Sequence, residues 1–382
     1  MLSISKMVSG KKESGDHLRY HRKPNTGPVV VWNSTRACNL LCKHCYASAK
    51  QEPETSELTT EEARAFIDDL AHFGVPVLLF SGGEPLMRPD FFELARYARE
   101  LGIRPVLSTN GTLITREVAW ALKQAGIGYV GVSIDGLPET NDRLRGYDGA
   151  FEAALEGIRN CVAVGQRVGL RFTITRNNYH EIEAIFDLVE RENINRVCFY
   201  HLVYAGRGSK LRDLDLDSRE KRRVLDLIIA RASDFSRRGF DKEILTVDNH
   251  ADAVYLYLKA EKNNDERISL ISKWLHNAGG NRSGVAIGAV DWCGNVHPDQ
   301  FTMNHTLGNI RERKFSEIWT DLSNPLLAGL RNRRPLLKGR CAACKWLDVC
   351  NGNFRARAEA VYHDFWASDP ACYLTDQEIG IG

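Results

Sequence analysis

No run of about 18 apolar residues occurs anywhere in this chain, so nothing in the sequence has the length and hydrophobicity of a membrane-spanning helix. The N-terminal stretch MLSISKMVSGKKESGDH also lacks the long apolar core of a signal peptide, which points to the cytoplasm. Charge of one sign is missing too. The 51 Lys and Arg residues against 49 Asp and Glu leave a formal net charge of +2, which gives no electrostatic footprint for nucleic acid or a membrane surface. Basic residues cluster locally at HLRYHRK (17–23) and RNRR (331–334), either as solvated faces or as partners for carboxylates on a small ligand.

What is present is an ordinary globular composition. With 382 residues, 43% hydrophobic and 26% charged, the chain can build one large α/β domain and a smaller one around a sizeable core. It carries ten cysteines, and in a reducing compartment that number favours metal binding or catalysis over disulfides.

Between residues 29 and 204, short apolar runs alternate with amphipathic segments. The strand candidates are VVVWN (29–33), PVLLF (76–80), RPVLS (104–108), GYVGVSI (128–134), VGLRFTIT (168–175) and RVCFYHL (196–202), each β-rich and too short for a helix. Helical patterns lie between them. TTEEARAFIDDLAHFG (59–74) opens with Thr59 and Glu62 at capping-box spacing and stops at Gly74. Six βα units in series imply a parallel sheet with helices outside, curled by the right-handed crossover rule into a partial (β/α)6 barrel. In such barrels chemistry belongs at the C-terminal ends of the strands.

After the first strand, TRACNLLCKHCYA (35–47) holds Cys38, Cys42 and Cys45 with no fourth cysteine nearby. Structural zinc wants four ligands, and His44 is the local candidate for the fourth. A redox dithiol wants two cysteines. A 4Fe–4S cluster on three thiolates leaves one iron open for a substrate or cofactor. In the tail, CAACKWLDVC (341–350) and DPACYL (369–374) supply Cys341, Cys344, Cys350 and Cys372, enough for a closed zinc site or a fully ligated 4Fe–4S cluster. Cys161 and Cys198 read as buried small hydrophobes, and Cys293 in DWCGNVHP as an inert thiol or a further ligand.

CxxxCxxC after the first strand of a βα barrel resembles the radical S-adenosylmethionine (SAM) superfamily. The resemblance implies that the open iron chelates SAM, and that an electron from the cluster splits the sulfonium to give a 5′-deoxyadenosyl radical. His44 stands where the superfamily usually has an aromatic residue against the adenine. SGGEP (81–85) follows the second strand and is similar to the glycine-rich motif whose backbone receives the SAM amino group: Gly82 and Gly83 permit close approach, and Glu84 supplies charge. By the same resemblance, Asn110 in STNGT (108–112) ends the third strand at the SAM site, Ser133 or Asp135 in SIDG (133–136) meets the ribose, and Arg171 meets the SAM carboxylate. The alternative for Asn110 and Asp135 is that they cap turns.

The tail resembles the auxiliary-cluster extension called SPASM or Twitch. It departs from the seven-cysteine SPASM pattern, because Phe354 stands where a thiolate would be needed, and this implies one auxiliary cluster. Over most of the chain, YAGRG (204–208), DNHADAVYLYL (248–258), GNVHPDQF (294–301) and LGNIRERKFSEIW (307–319) are similar to radical SAM enzymes that process siroheme-derived tetrapyrroles. That branch implies either deacetylation of 12,18-didecarboxysiroheme to iron-coproporphyrin III, which the tail resembles more, or removal of propionates towards heme d1. A peptide-modifying maturase is the further alternative, although 28 residues before the first strand are few for a leader-binding domain.

The implied partners are a siroheme-derived tetrapyrrole and an electron donor such as ferredoxin or flavodoxin. Arg207, at the end of the sixth strand, is the expected catalytic contact to the anionic substrate; a surface-loop charge is its alternative. His250, His297 and His305 are candidate iron ligands or ordinary core residues. The expected division is an N-terminal extension (1–27), the barrel (28–240), a connecting segment (241–284) and an auxiliary iron–sulfur domain (285–382).

Overall fold

The structure, a computed structural model, describes residues 1–13, 15–20 and 27–381. Residues 21–23 of the first basic cluster lie outside the described residues. The strands are β1 (Leu2–Ser3), β2 (Val29–Thr35), β3 (Val77–Gly82), β4 (Arg104–Thr109), β5 (Val130–Ser133), β6 (Val168–Ile174), β7 (Arg196–His201), β8 (Glu243–Val247), β9 (Ile287–Val290), β10 (Asn295–His297) and β11 (Gly308–Asn309). They form a single sheet in the order β1-β8-β7-β6-β5-β4-β3-β2-β9-β10-β11.

The six strands expected from the sequence are β2 to β7, each parallel to its neighbour. Two further parallel strands extend them: β8 beside β7, and β9 beside β2 with Val30 opposite Gly288. β1 closes the β8 edge antiparallel, while β10 and β11 continue antiparallel beyond β9. The sheet is therefore continuous through residues 1–27, 241–284 and 285–309, and hydrogen bonds cross every expected domain division.

The helices form as their caps direct. In Thr60–His72, Thr59 accepts from the Glu62 amide and Glu62 reaches back to the Thr59 amide, so the capping box is complete; Gly74 then turns the chain at φ +75°. The strands alternate. Leu78 and Phe80 are fully buried beneath the helices, while Leu79 and Ser81 face a cavity on the other side of the sheet. Trp32 meets Phe80 on the adjacent strand at 5.5 Å and Phe66 of the capped helix at 5.7 Å, so sheet and helix share one aromatic core.

Glu243, at the start of β8, gathers Arg167 at 2.8 Å, Arg19 at 3.3 Å and Arg196, joining the N-terminal segment to three neighbouring strands. Burial works against its charge, but Arg196, Arg19 and Arg167 prevail and hold its pKa at about 2, below the ordinary 4.5. An acid with a depressed folded pKa contributes stability above its unfolded pKa, and that contribution is lost as pH falls from 4.5 towards 2. Glu243→Gln should lower the thermal midpoint at neutral pH, and the gap to the parent protein should narrow as unfolding is followed by circular dichroism down through that window.

Candidate active site

The loop after β2 is held in place before any ligand is considered. Its two ends form a parallel bridge: Cys38 donates from its backbone amide to the Lys50 carbonyl at 2.6 Å, and Lys50 to the Arg36 carbonyl at 3.0 Å. The turn after β3 locks onto it, because the Gly83 amide donates to the Thr35 carbonyl at 2.8 Å and the Glu84 amide to the Ala37 carbonyl at 2.7 Å. Gly82 has φ +118°, and a Cβ on Gly83 would lie 2.0 Å from the Ala37 carbonyl oxygen. The approach requires glycine at both positions.

Cys38, Cys42 and Cys45 cluster with Leu40 and Ala49 and face one cavity of about 460 Å³. Each sulfur receives a donor: Leu40 N–H and the Asn110 amide for Cys38, Arg145 for Cys42, and Ala49 N–H for Cys45. Such donors stabilise thiolate sulfur and tune whatever it ligates. As free thiols Cys38 and Cys42 are pushed up by burial, Cys38 to about 12, so their thiolate forms need a cationic partner. Among the described residues no three His, Cys, Asp or Glu groups are spaced to hold a single metal ion. Around a cubane each thiolate binds its own iron, so convergence on one point is not required. The three thiols, their donors and the glycine cradle beside them fit a three-thiolate cluster with an adjoining ligand.

Six of the eight residues expected at SAM line the cavity: His44, Gly82, Gly83, Asn110, Ser133 and Arg171. Arg171 donates to Ser108 Oγ at 2.6 Å, and its Nε has no hydrogen-bond partner. The other two residues lie behind the wall. Glu84 is fully buried and accepts from Thr109, Leu86 N–H and Asn110 N–H, so it ties the end of β3 to the end of β4; burial raises its pKa to about 7. Asp135 is fully buried and engaged by His44 Nε2 at 3.0 Å, by Arg145 and by Thr173 N–H at 2.6 Å. Burial opposes its charge, and Arg145 and His44 overcome this, holding it below the usual carboxylate range. Asp135 therefore fixes His44 and Arg145, which in turn touch the cysteine loop.

Arg207 also acts on that loop. Its backbone amide donates to the Cys45 carbonyl at 2.9 Å, its Nε to the Cys42 carbonyl at 2.8 Å and its Nη1 to the Ala49 carbonyl at 2.7 Å. Arg207, the expected substrate contact, thus straps the cysteine loop and lines the cavity as well.

The opposite wall comes from the C-terminal half. Tyr46, Phe301 and Phe354 form an aromatic chain with ring centroids 5.4 and 5.7 Å apart, and His250 lies parallel to Phe354 at 5.9 Å. Phe354, noticed in the sequence for the thiol it is not, is part of this wall. Arg145 carries no motif of its own. Tyr46 had a signal as the residue directly after the third cysteine, and Phe301 as the last residue of GNVHPDQF.

Cys341, Cys344, Cys350 and Cys372 line a second, smaller cavity together with Trp346 and Asp369. Cys293 borders neither cavity; its sulfur lies 3.1 Å from Ser56 Oγ. All ten cysteines are free thiols. His297 is engaged by the His305 carbonyl and Asp291, and His305 by Glu359.

The sequence profile of the Radical SAM superfamily matches residues 32–189, which hold the cysteine loop, the glycine turn and the strands around them. Fe-coproporphyrin III synthase of Methanosarcina barkeri is 58% identical across 100% of this chain and 99% of that one. The chain belongs to the radical SAM superfamily. It is therefore a SAM-dependent iron–sulfur enzyme. Pre-heme d1 synthase of Dinoroseobacter shibae is 46% identical over 92% of this radical SAM chain and 88% of its own. Among solved structures, SuiB of Streptococcus suis bound to S-adenosylmethionine superposes with a TM-score of 0.73 at 19% identity, covering 92% of this chain and 78% of that one. Native anSMEcpe with bound AdoMet gives a TM-score of 0.70 at 19% identity, over 90% and 93% of the two chains. Both share the fold of this enzyme.

Gly83→Ala should displace the Ala37 carbonyl and with it Cys38. The expected outcome is a folded protein that retains much less iron and sulfide after anaerobic reconstitution, read by elemental analysis against the parent. Undiminished iron would mean that the turn does not position the loop.

Proposed function

We propose that this enzyme deacetylates 12,18-didecarboxysiroheme to iron-coproporphyrin III, two acetate side chains leaving and methyl groups remaining at those positions. The observation that carries this reading is the 58% identity to Fe-coproporphyrin III synthase over essentially the whole of both chains. The cavity suits such a substrate. It runs from the cysteine loop to a wall of Tyr46, Phe301 and Phe354, an apolar aromatic surface against which a macrocycle can pack.

In this reading Cys38, Cys42 and Cys45 hold the catalytic 4Fe–4S cluster, and Cys341, Cys344, Cys350 and Cys372 hold the second. SAM held beside the first would, on receiving an electron, supply the radical chemistry needed at an acetate side chain. The chain's own residues position and enclose. Gly82 and Gly83 bring backbone close to the ligand, and Asn110, Ser133 and Arg171 offer polar contacts at the ends of β4, β5 and on β6. His44 is fixed by Asp135 at the cavity edge, and the aromatic wall excludes water from the reacting side chain. Arg207 serves as a positioning residue for the cluster loop. Residues 28–240 are read as the catalytic barrel and 285–382 as the auxiliary-cluster extension. The electron donor is read as a ferredoxin or flavodoxin in the cytoplasm; no described helix is long and apolar enough to cross a membrane.

The similarity to pre-heme d1 synthase keeps propionate removal as the second reading. Anaerobic incubation of reconstituted enzyme with dithionite, SAM and 12,18-didecarboxysiroheme, followed by liquid chromatography–mass spectrometry, separates the two. Loss of two acetate units is the expected outcome, and loss of propionates would transfer the assignment. Cys38→Ala, Cys42→Ala and Cys45→Ala should each abolish 5′-deoxyadenosine formation. Cys341→Ala should retain some deoxyadenosine and lose the product, and unchanged turnover would remove the second cluster from the reaction.

A further inference from the structure

Three histidines line the main cavity, and two of them are already engaged: His44 by Asp135, and His201 by Asp252 at 2.9 Å. His250 differs. Among the described residues neither of its ring nitrogens has a hydrogen-bond or ion-pair partner, and the side chain is partly open to the cavity. Buried polar rings in folded proteins normally find a partner, so an imidazole left without one beside a ligand cavity is available to the ligand.

Its placement is built rather than incidental. The chain leaves β8 through Asp248 at φ +68°, a left-handed turn that aspartate accepts more readily than most residues and that points the chain towards the cavity wall. The Asp248 carbonyl is held by Arg357 at 2.7 Å. Asn249 is fixed by Asn353 at 2.8 Å and by the Ala371 carbonyl at 3.1 Å. The His250 amide donates to Asn353 Oδ1 at 2.8 Å, and its ring lies parallel to Phe354 with 8° between planes. Backbone and ring plane are thus both set by the C-terminal segment. Burial, together with the positive charges of the N-terminal amine, Arg357 and Arg333, pushes its pKa well below the ordinary range, so the imidazole is neutral and its lone pair free.

We propose that His250 is the axial ligand to the iron of the bound tetrapyrrole. The proposal rests on the iron-tetrapyrrole reading above and adds the residue that seats the macrocycle. A neutral, oriented imidazole is a common iron ligand, and a single coordinate bond normal to the ring fixes both the height and the tilt of a flat substrate. With the macrocycle anchored on the His250 side, its rim extends towards Tyr46 and the cysteine loop, where hydrogen abstraction takes place.

The test uses reconstituted enzyme with oxidised clusters and two probes, ferric coproporphyrin III and metal-free coproporphyrin III, read by Soret absorption, electron paramagnetic resonance and titration. The parent should bind the ferric probe with a spectrum of nitrogen ligation. His250→Ala should shift that spectrum to water-ligated or five-coordinate iron and weaken binding about tenfold. The same variant should bind the metal-free probe as the parent does, which shows that its pocket is folded. Imidazole added to His250→Gly should restore the nitrogen-ligated spectrum, and His305→Ala should leave it unaltered. An identical ferric spectrum in parent and His250→Ala would overturn the proposal while leaving the tetrapyrrole reading intact. Failure of the parent to bind either probe would overturn both.

Discussion

Two backbone hydrogen bonds, from Gly83 to Thr35 and from Glu84 to Ala37, carry the functional end of this molecule. They join the end of β3 to the start of the cysteine loop at a distance only glycine allows. The loop that presents three thiols pairs only part of its own backbone, through the bridge at its ends and the turns at Cys45 and Ser48, so neighbouring segments satisfy much of the rest. Lys50, the glycine turn, Leu144 through the Lys43 amide, and Arg207 do so from four directions. Glu84 and Asn110 extend the lock to β4, and Asp135 extends it to the helix carrying Arg145. The geometry of the three thiols is therefore a property of four strand ends together.

A second constraint joins the C-terminal segment to the barrel. Arg357 is wholly buried; it pairs with Asp369 at 2.9 Å and donates to the carbonyls of Leu202 and Asp248, just beyond β7 and β8. Such a pair orders its surroundings, because losing either partner would leave a buried charge uncompensated. Tyr373, next to Cys372, donates to Asp252 at 2.7 Å, and Asp252 meets His201 in the cavity. Asn353, three residues past Cys350, holds Asn249 and His250. The segment with four cysteines is bonded at several points to the wall of the main cavity, so the state of that cysteine site bears directly on what the cavity binds.

Much of this was legible in the chain. The six βα units, the Thr59–Glu62 capping box and the glycine turn were readable because each rests on local periodicity or on a residue whose conformational needs are unique. The cysteine loop could be placed at a strand end for the same reason. β8 and β9 were not read from the sequence: EILTV closes one more parallel βαβ unit with β7 beyond the six that were counted, and IGAV gains its meaning from pairing with β2, more than 250 residues earlier. Asp135 lies behind the cavity wall, because sequence places a residue at a strand end without showing whether its side chain faces the cavity or the loop behind it. Arg171 faces in, and Arg207 both lines the cavity and braces the cysteine loop.

That division of the charged residues sets the electrostatics of the site. Arg145 beside Cys42 is neutralised by Asp135, and Arg19 at the far rim by Glu13 and Glu243. Arg207 contacts only carbonyl groups in the cysteine loop, and its Nη2 has no hydrogen-bond partner. Its positive charge therefore lies against the backbone of the cysteine loop, and among the described residues no ion pair joins it to a carboxylate. In a site shielded from water, an uncompensated cation favours added negative charge nearby. A cluster on these thiols would gain that stabilisation on accepting an electron, with the sulfur donors from Leu40, Ala49, Asn110 and Arg145 acting in the same sense. The cavity side of the cysteine loop is thus shaped by one arginine, Arg207, that holds its backbone and another, Arg145, that meets a sulfur and is itself paired with Asp135.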